Sequence, residues 1–596
     1  MSRGSGRGRS GGRVAADSAA RDGRDVMART PFLQKLLKLE AEHRLAESTG
    51  RPVEEIRELK AKSGKEGGSL HRALRGQGGH LTRRKFLAGA AAMAATAAAS
   101  WKFRGKAKAS GGPRLAVVGG GIAGLTAALT LADEGYSAPI YEGMYRVGGR
   151  MLSDRPSAPA CGTCHAVGRP DSLSWLDGQY TDVFGSLIDS NHKTMLGLCK
   201  RFRLPLIDLL AAEPEGSTNT YYFQGDYYDP AQVDADYRQV RRALLDDLRA
   251  AGYPTTYKTS TPAGRALDAM SIYDRIETRV PGGHGSPFGS LPDVAYNAEY
   301  GAETTDQSSL NLIYLLGYGP PQSFQVYGSS DERYAIQGGV DRLPNAIAEH
   351  LGYPVEFGWA LARIAKESDG TYSLTFDVAN GSRTVRADIV ILAIPFAVLR
   401  HLDYSEAGFD ALKQKAIQEL GAGRNGKLHL QFTSRSWNSP GPWGISNGQT
   451  FSDTGYQNTW DGTRGQPGGS GILINYTGGD IADSMHLKHP YGDTRSPGVI
   501  ADAKQFLSQI EPVFPGISAQ WKGRAAGSMA HRSPFFRCSY SYWRVGQYQS
   551  IAGYEQVRQG NIFFAGEHTS VDWQGWMEGG AESGIRAARE VLAQLK

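Results

Sequence analysis

The chain has 596 residues, of which 40% are hydrophobic and 21% charged, with 76 glycines and four cysteines. That apolar content builds a sizeable core and excludes global disorder, the glycines follow no collagen-like period, and four cysteines exclude a disulfide-dense scaffold. The net charge of +6 is split, because residues 1–109 carry 24 Lys and Arg against 10 Asp and Glu (+14) and the remainder 42 against 50 (−8); an acidic body argues against a nucleic-acid partner and favours cationic small molecules through steering, although such a charge is also ordinary for a solvated surface.

Residues 1–81 form a basic leader. Its first 26 residues are rich in Gly, Ser and Arg with no hydrophobic period and read as disordered. Leu33, Leu36, Leu37, Val53, Ile56 and Leu59 give residues 31–63 a helical pattern, broken by Gly50 and Pro52. Residues 82–109 combine Arg83-Arg84-Lys85, a modest Ala-rich run to Ala99 and an Ala107-Lys108-Ala109 cleavage pattern. This resembles a twin-arginine signal, which implies export of a folded protein to the bacterial periplasm or beyond through that machinery. The plainer reading is a basic Ala-rich helix, and the long stretch before the arginine pair departs from the usual signal.

The body opens on a strand at residues 114–118, followed by Gly119-Gly120-Gly121-Ile122-Ala123-Gly124, a helix from Leu125 to Glu134 and a strand at residues 137–141 ending at Glu142. This is the context in which G-x-G-x-x-G binds a dinucleotide. Gly119 allows the tight turn, Gly121 lets backbone approach a pyrophosphate, and Gly124 lets helix and strand pack. The helix N-terminus favours the phosphates. Glu142 is placed to hold a ribose hydroxyl and would repel the extra phosphate of NADP. Arg146-Val147-Gly148-Gly149-Arg150 then brings a second Gly pair to the cofactor, with Arg150 able to pair with a phosphate or the flavin region. An unliganded Gly turn is the alternative in both places.

Cys161-Gly162-Thr163-Cys164-His165 matches the haem c attachment pattern. No cytochrome-sized region surrounds it, so haem, a disulfide or metal contact, and a loop without cofactor all stay open. Cys199 reads as core. Residues 426–432 alternate like a strand, with Lys427, His429 and Gln431 on one face; a bare strand Lys is usually a solvated charge. Near the C-terminus, residues 561–567 form a strand running into a turn. Gly575-Trp576-Met577-Glu578-Gly579-Gly580 then opens a helix from Ala581 to Leu595, whose N-terminus suits the electron-rich end of a flavin.

Together GGGIAGL, YE, RVGGR, YAIQGGVDRLP, DIVILAIP, GRNGKLHLQF and FAGEHTS…GWMEGGAESG resemble the flavin-containing amine oxidases, from about residue 112 to 596. That family includes monoamine, polyamine and L-amino acid oxidases. The resemblance implies an α/β fold. A Rossmann-like FAD domain would come from residues 112–200, 332–412 and 530–596. A substrate domain of α+β type with a mixed sheet would come from residues 201–331 and 413–529. It also implies oxidation of an amine to an imine, with dioxygen or another acceptor taking the electrons. Leu361 would pass the adenine by its backbone, and Gly149, Arg150, Gly566, Glu567, Trp576 and Met577 would line the flavin. Lys427 would hold a water against the ring.

The resemblance further places Tyr548 and Trp576 as the aromatic pair flanking the amine. Gln547 would stand where monoamine oxidases carry the cysteine bonded to flavin. With Cys538 nine residues away, FAD is expected to be non-covalent. Residues 184–192 match the loop passing the flavin, where L-amino acid oxidases place an Arg that grips the carboxylate. Ile188 stands there, which favours amines. Asp189 and Glu299 would attract a second ammonium, or simply be solvated or capping carboxylates. An oxidase or dehydrogenase of basic amino acids and a non-catalytic flavin-binding protein are the alternatives. No metal is expected, and a dimer is possible.

Overall fold

A computed structural model describes residues 112–155, 175–320 and 323–595. The expected leader and signal, and Cys161, Cys164 and His165, lie outside the described residues. Residues Gly111–Lys596 belong to one compact unit.

Short apolar runs, wholly buried in every strand but the edge strand at Val355–Phe357, make a five-stranded parallel sheet. Its order is Ile562–Phe564, Ile389–Leu392, Leu115–Val118, Ile140–Glu142, Val355–Phe357. Val118 pairs with Leu392 on one side and Tyr141 on the other, and Leu392 pairs with Phe564. The carboxyl ends of these strands therefore share one edge. The chain leaves the central Leu115–Val118 strand toward one side and returns on the other, which makes the switch point where open parallel sheets bind ligands.

Apolar side chains on both faces require cover on both faces. One face carries helices Ile122–Asp133, Lys193–Arg201, Arg342–Leu351 and Met577–Leu595. The other carries the antiparallel strands Ala360–Lys366, Tyr372–Val378 and Gly381–Ala387, with helix Ala411–Glu419. The first helix starts at Ile122, three residues earlier than its apolar pattern suggests, and the last at Met577 rather than Ala581. Both extensions bring helix N-termini to the carboxyl edge of the sheet.

The second sheet has eight strands, from Tyr491–Asp493 through Trp521–Ser528, Asn425–Phe432 and Gly471–Gly478 to Asp226–Tyr227. It is mixed: Ser446–Ser452 runs parallel to Thr218–Phe223, and its other pairs are antiparallel. Helices between Pro230 and Leu316 pack beside it, and helix Pro497–Ile510 covers another part of it. Asn425–Phe432 lies inside this sheet, so Lys427 is no edge residue.

Candidate active site

The carboxyl edge of the parallel sheet and the Lys427 strand enclose a cavity of about 580 Å³. Each glycine of the first turn is held there for a different reason. Gly119 has φ +106°, and a Cβ on it would meet the Ala393 carbonyl oxygen at 2.6 Å. A Cβ on Gly124 would lie 1.9 Å from the Gly119 oxygen. Gly121 meets no protein atom nearer than the Gly149 Cα at 4.0 Å, so its missing side chain opens onto the cavity. Gly148 donates to the Gly120 carbonyl at 2.8 Å, which seats the second Gly turn against the first. Ile122, Ala123 and Gly149 also line the cavity.

Glu142 ends its strand with both carboxylate oxygens accepting backbone N–H groups, from Gly120 at 2.6 Å and Met144 at 2.8 Å. Burial raises its pKa and these bonds oppose the rise. Each oxygen keeps a lone pair for a hydroxyl. Leu361 lines the same end. Arg150 has an internal partner: it donates to Glu567 at 3.1 Å and to the Ser539 carbonyl at 2.6 Å. Glu567 also accepts from Ser541 and the Gly575 N–H. Burial resists its ionisation, yet Arg150 and these donors leave its pKa lowered. His568 lines the cavity with both ring nitrogens unpaired, and burial takes its pKa down to about 3. Gly566, Trp576, Met577 and Gly580 complete this wall at the start of the closing helix.

A cavity with an open glycine position, a carboxylate with spare lone pairs, two helix N-termini and an unpaired imidazole fits a flavin dinucleotide. Gly121, the Ile122 helix and Glu142 would hold its nucleotide part, and the Met577 helix would face its ring.

Lys427 is 7% exposed. Its ammonium donates to the Phe184 carbonyl and to Ser186 Oγ, and lies 5.1 Å from the Trp460 ring centre and 5.9 Å from that of Tyr476. Burial pulls its pKa down to about 8, against the pull of Asp182 and Glu332. His429 and Gln431 share its face, bonding Thr181 and Gln179.

Four expected residues stand elsewhere. Tyr548 is outside the cavity: its hydroxyl donates to Asn311 at 3.0 Å, and its ring packs on Trp543 and Tyr314. The short Gln547–Ser550 helix, entered through Gly546 at φ +80°, turns it away. Tyr540 lines the cavity instead, its hydroxyl 2.7 Å from that of Tyr476. Gln547 is also outside, bonded to the Glu419 carbonyl and the Arg544 N–H. Neither Cys199 nor Cys538 lines the cavity, although Cys538 lies 3.9 Å from Arg150.

Ile188 is core, bridged to Tyr334, and its neighbour Leu187 faces the cavity. A one-residue shift along an extended segment exchanges its faces. Asp189 is turned inward, accepting the Glu332 N–H at 2.9 Å and lying 3.4 Å from His192. Glu299 does line the cavity, joined there by Glu332, which the sequence did not single out. Burial raises Glu299 to about 8 and Glu332 to about 7.

The sequence profile of the flavin containing amine oxidoreductases matches residues 122–592. Among curated relatives, a nicotine dehydrogenase of Pseudomonas putida is 24% identical over 482 residues, covering 80% of this chain and 88% of that protein. A putative L-amino-acid oxidase of Bacillus subtilis is 24% identical, covering 80% of this chain and 94% of its own. Among solved structures, the cyclohexylamine oxidase of Brevibacterium oxydans superposes with a TM-score of 0.65 at 20% identity, over 81% of this chain and all of that one. A putrescine oxidase bound to putrescine gives 0.64 at 17%, over 81% of this chain and 99% of that one. The chain belongs to the flavin-containing amine oxidoreductases, and its cofactor is FAD, held without a covalent link.

Proposed function

We propose that this protein oxidises an amine, rather than an amino acid, at the carbon bearing the nitrogen. The observation that carries this reading is the charge of the cavity. Among the described residues Arg150 is the one guanidinium lining it, and Arg150 is already paired with Glu567. Leu187, not an Arg, faces the cavity from the loop after Phe184, and Glu299 and Glu332 offer a substrate carboxylate no cationic partner.

Bound FAD supplies the two-electron acceptor that turns the amine into an imine, with dioxygen (giving hydrogen peroxide) or another acceptor taking the electrons onward. The rest falls to the chain. Trp576, Tyr540, Tyr476 and Trp460 make an aromatic wall that excludes bulk water and restricts how the amine lies. Lys427, pinned by Phe184 and Ser186, puts a positive charge beside the reacting end, which disfavours a second cation there and selects the neutral amine. Water then hydrolyses the imine to an aldehyde and ammonia, or to a shorter amine. Export by the twin-arginine route belongs to the same proposal and is supported by Arg83-Arg84 and the Ala-rich run that follows.

The test is anaerobic bleaching of the purified yellow holoenzyme by an amine and by its matching α-amino acid. Bleaching by the amine is expected. Bleaching by the amino acid alone overturns the proposal.

A further inference from the structure

Three of the four rings in the aromatic wall are held by polar or charged neighbours. The Tyr540 hydroxyl donates to the Glu299 carbonyl, which leaves the Tyr476 hydroxyl to donate to that of Tyr540. Trp460 lies against the Tyr476 ring and the Lys427 ammonium. Trp576 differs. Among the described residues its indole N–H donates no hydrogen bond, and the one aromatic ring it meets is His192.

His192 is wholly buried, just ahead of the Lys193–Arg201 helix. Its ring meets Trp573 at 5.0 Å between centres and 87°, and Trp576 at 5.3 Å and 64°, both edge to face. Such contacts favour a particular angle between the rings as well as a distance. Nδ1 accepts the Asp189 N–H at 3.0 Å, which puts the ring proton on Nε2. Burial takes the ring's pKa down to about 4, so at pH 7 it is neutral and its 3.4 Å approach to Asp189 is no ion pair. Nε2 has no hydrogen-bond partner. A buried N–H without an acceptor costs stability that a leucine of similar size would not, and the contact with two indoles is what offsets it here.

The imidazole is itself firmly held. Ile188 exchanges backbone hydrogen bonds with Tyr334, Ser190 donates to Asp331 at 2.8 Å, and Asp189 accepts the N–H of Glu332, a residue at φ +43°. On the other side Glu578, two residues after Trp576, accepts the N–H groups of Thr194 and Met195, two and three residues after His192. Trp576 and His192 thus stand on segments fastened to each other, and the angle of the indole follows the imidazole.

Resting on the amine reading above, we propose that His192 is a positioning residue for the oxidation: its ring sets the angle of the Trp576 indole, and through the indole the pose in which the amine reacts. A misplaced pose costs rate more than binding, because the same apolar area is still covered.

Two variants separate the ring from its acceptor. His192→Phe keeps a ring and loses the nitrogens, whereas His192→Asn keeps an acceptor for the Asp189 N–H and loses the ring. The holoenzyme is reduced anaerobically by an amine that the wild type oxidises. His192→Asn should lower the limiting rate about thirtyfold and move half-saturation less than about threefold, while His192→Phe should stay within about threefold of the wild-type rate. In a Trp576→Ala background the His192→Asn loss should vanish. Fluorine NMR of the oxidised holoenzyme labelled with fluorotryptophan gives a readout apart from turnover. The Trp576 line, identified by its absence in Trp576→Phe, should shift and broaden in His192→Asn and hold in His192→Phe. A wild-type rate in His192→Asn, an equal loss in His192→Phe, or a loss that persists without the Trp576 indole overturns the proposal and leaves the amine reading intact. A wild type that no amine reduces overturns both.

Discussion

The charge on Lys427 is the residue-level feature with the clearest kinetic consequence. Burial brings its pKa to about 8, so the ammonium is charged below that pH and neutral above it. A fixed positive charge in a dry site stabilises negative charge developing on reduced dioxygen. Flavin reoxidation by dioxygen should therefore slow as pH rises through about 8. Lys427→Met should retain the flavin, slow reoxidation about a hundredfold and lose that pH step. Stopped-flow reoxidation across pH 6–10 checks this, and a step persisting in the variant assigns it to another group. Lys427 was legible because alternation fixes a strand face. Tyr548 was not, because an aromatic next to a glycine turn fits core and cavity equally, and only the helical turn at Gln547 decides between them. Ile188 failed by one residue, the smallest error an extended segment permits and one that reverses the side chain. Glu332 gave no signal, since its place depends on a left-handed backbone held by a residue 143 positions away.

At the scale of elements, the first turn and its helix separate folding from binding. Gly124 is a packing position, and Ala there would press into the Gly119 carbonyl. Gly124→Ala should cost about 3 kcal/mol, the upper range for overpacking, as read by urea unfolding of the apoprotein. Gly121 has extended backbone and open space, so Gly121→Val should fold with near-normal stability and purify colourless. Weakened flavin binding with comparable loss of apoprotein stability in both variants would refute the division. This contrast was readable from spacing, because each glycine of the fingerprint has one geometric duty. The closing helix was placed but begun four residues late, because Glu578, Gly579 and Gly580 look like a turn. In the fold, Glu578 caps the Lys193–Arg201 helix through the Thr194 and Met195 N–H groups, and Gly580 and Gly584 let the closing helix lie against the first. Such capping between segments almost 400 residues apart leaves no local pattern.

At the scale of the molecule, the site is a seam between two sheets, and carboxylates cluster in a second chamber that shares a wall with it. A net −8 spread evenly would have little effect on a small ligand, since screening limits exposed charges to about 10 Å at 0.1 M salt. Six carboxylates line this second chamber adjoining the site, and the one cation among its described lining residues, Arg464, is already paired with Glu213, so a negative field is focused beside the site. A cationic amine should thus be captured faster than a neutral one, and the advantage should fade as salt screens the chamber. For a chain beginning at Gly111, which removes the +14 segment as a competing field, kcat/KM for a cationic amine should fall about fivefold between 20 and 500 mM salt, with kcat little changed. Asp234→Asn with Asp331→Asn should flatten that dependence, because both carboxylates lie in the second chamber alone. A salt response that is unchanged in the double variant would mean that steering comes from the whole surface rather than from the chamber.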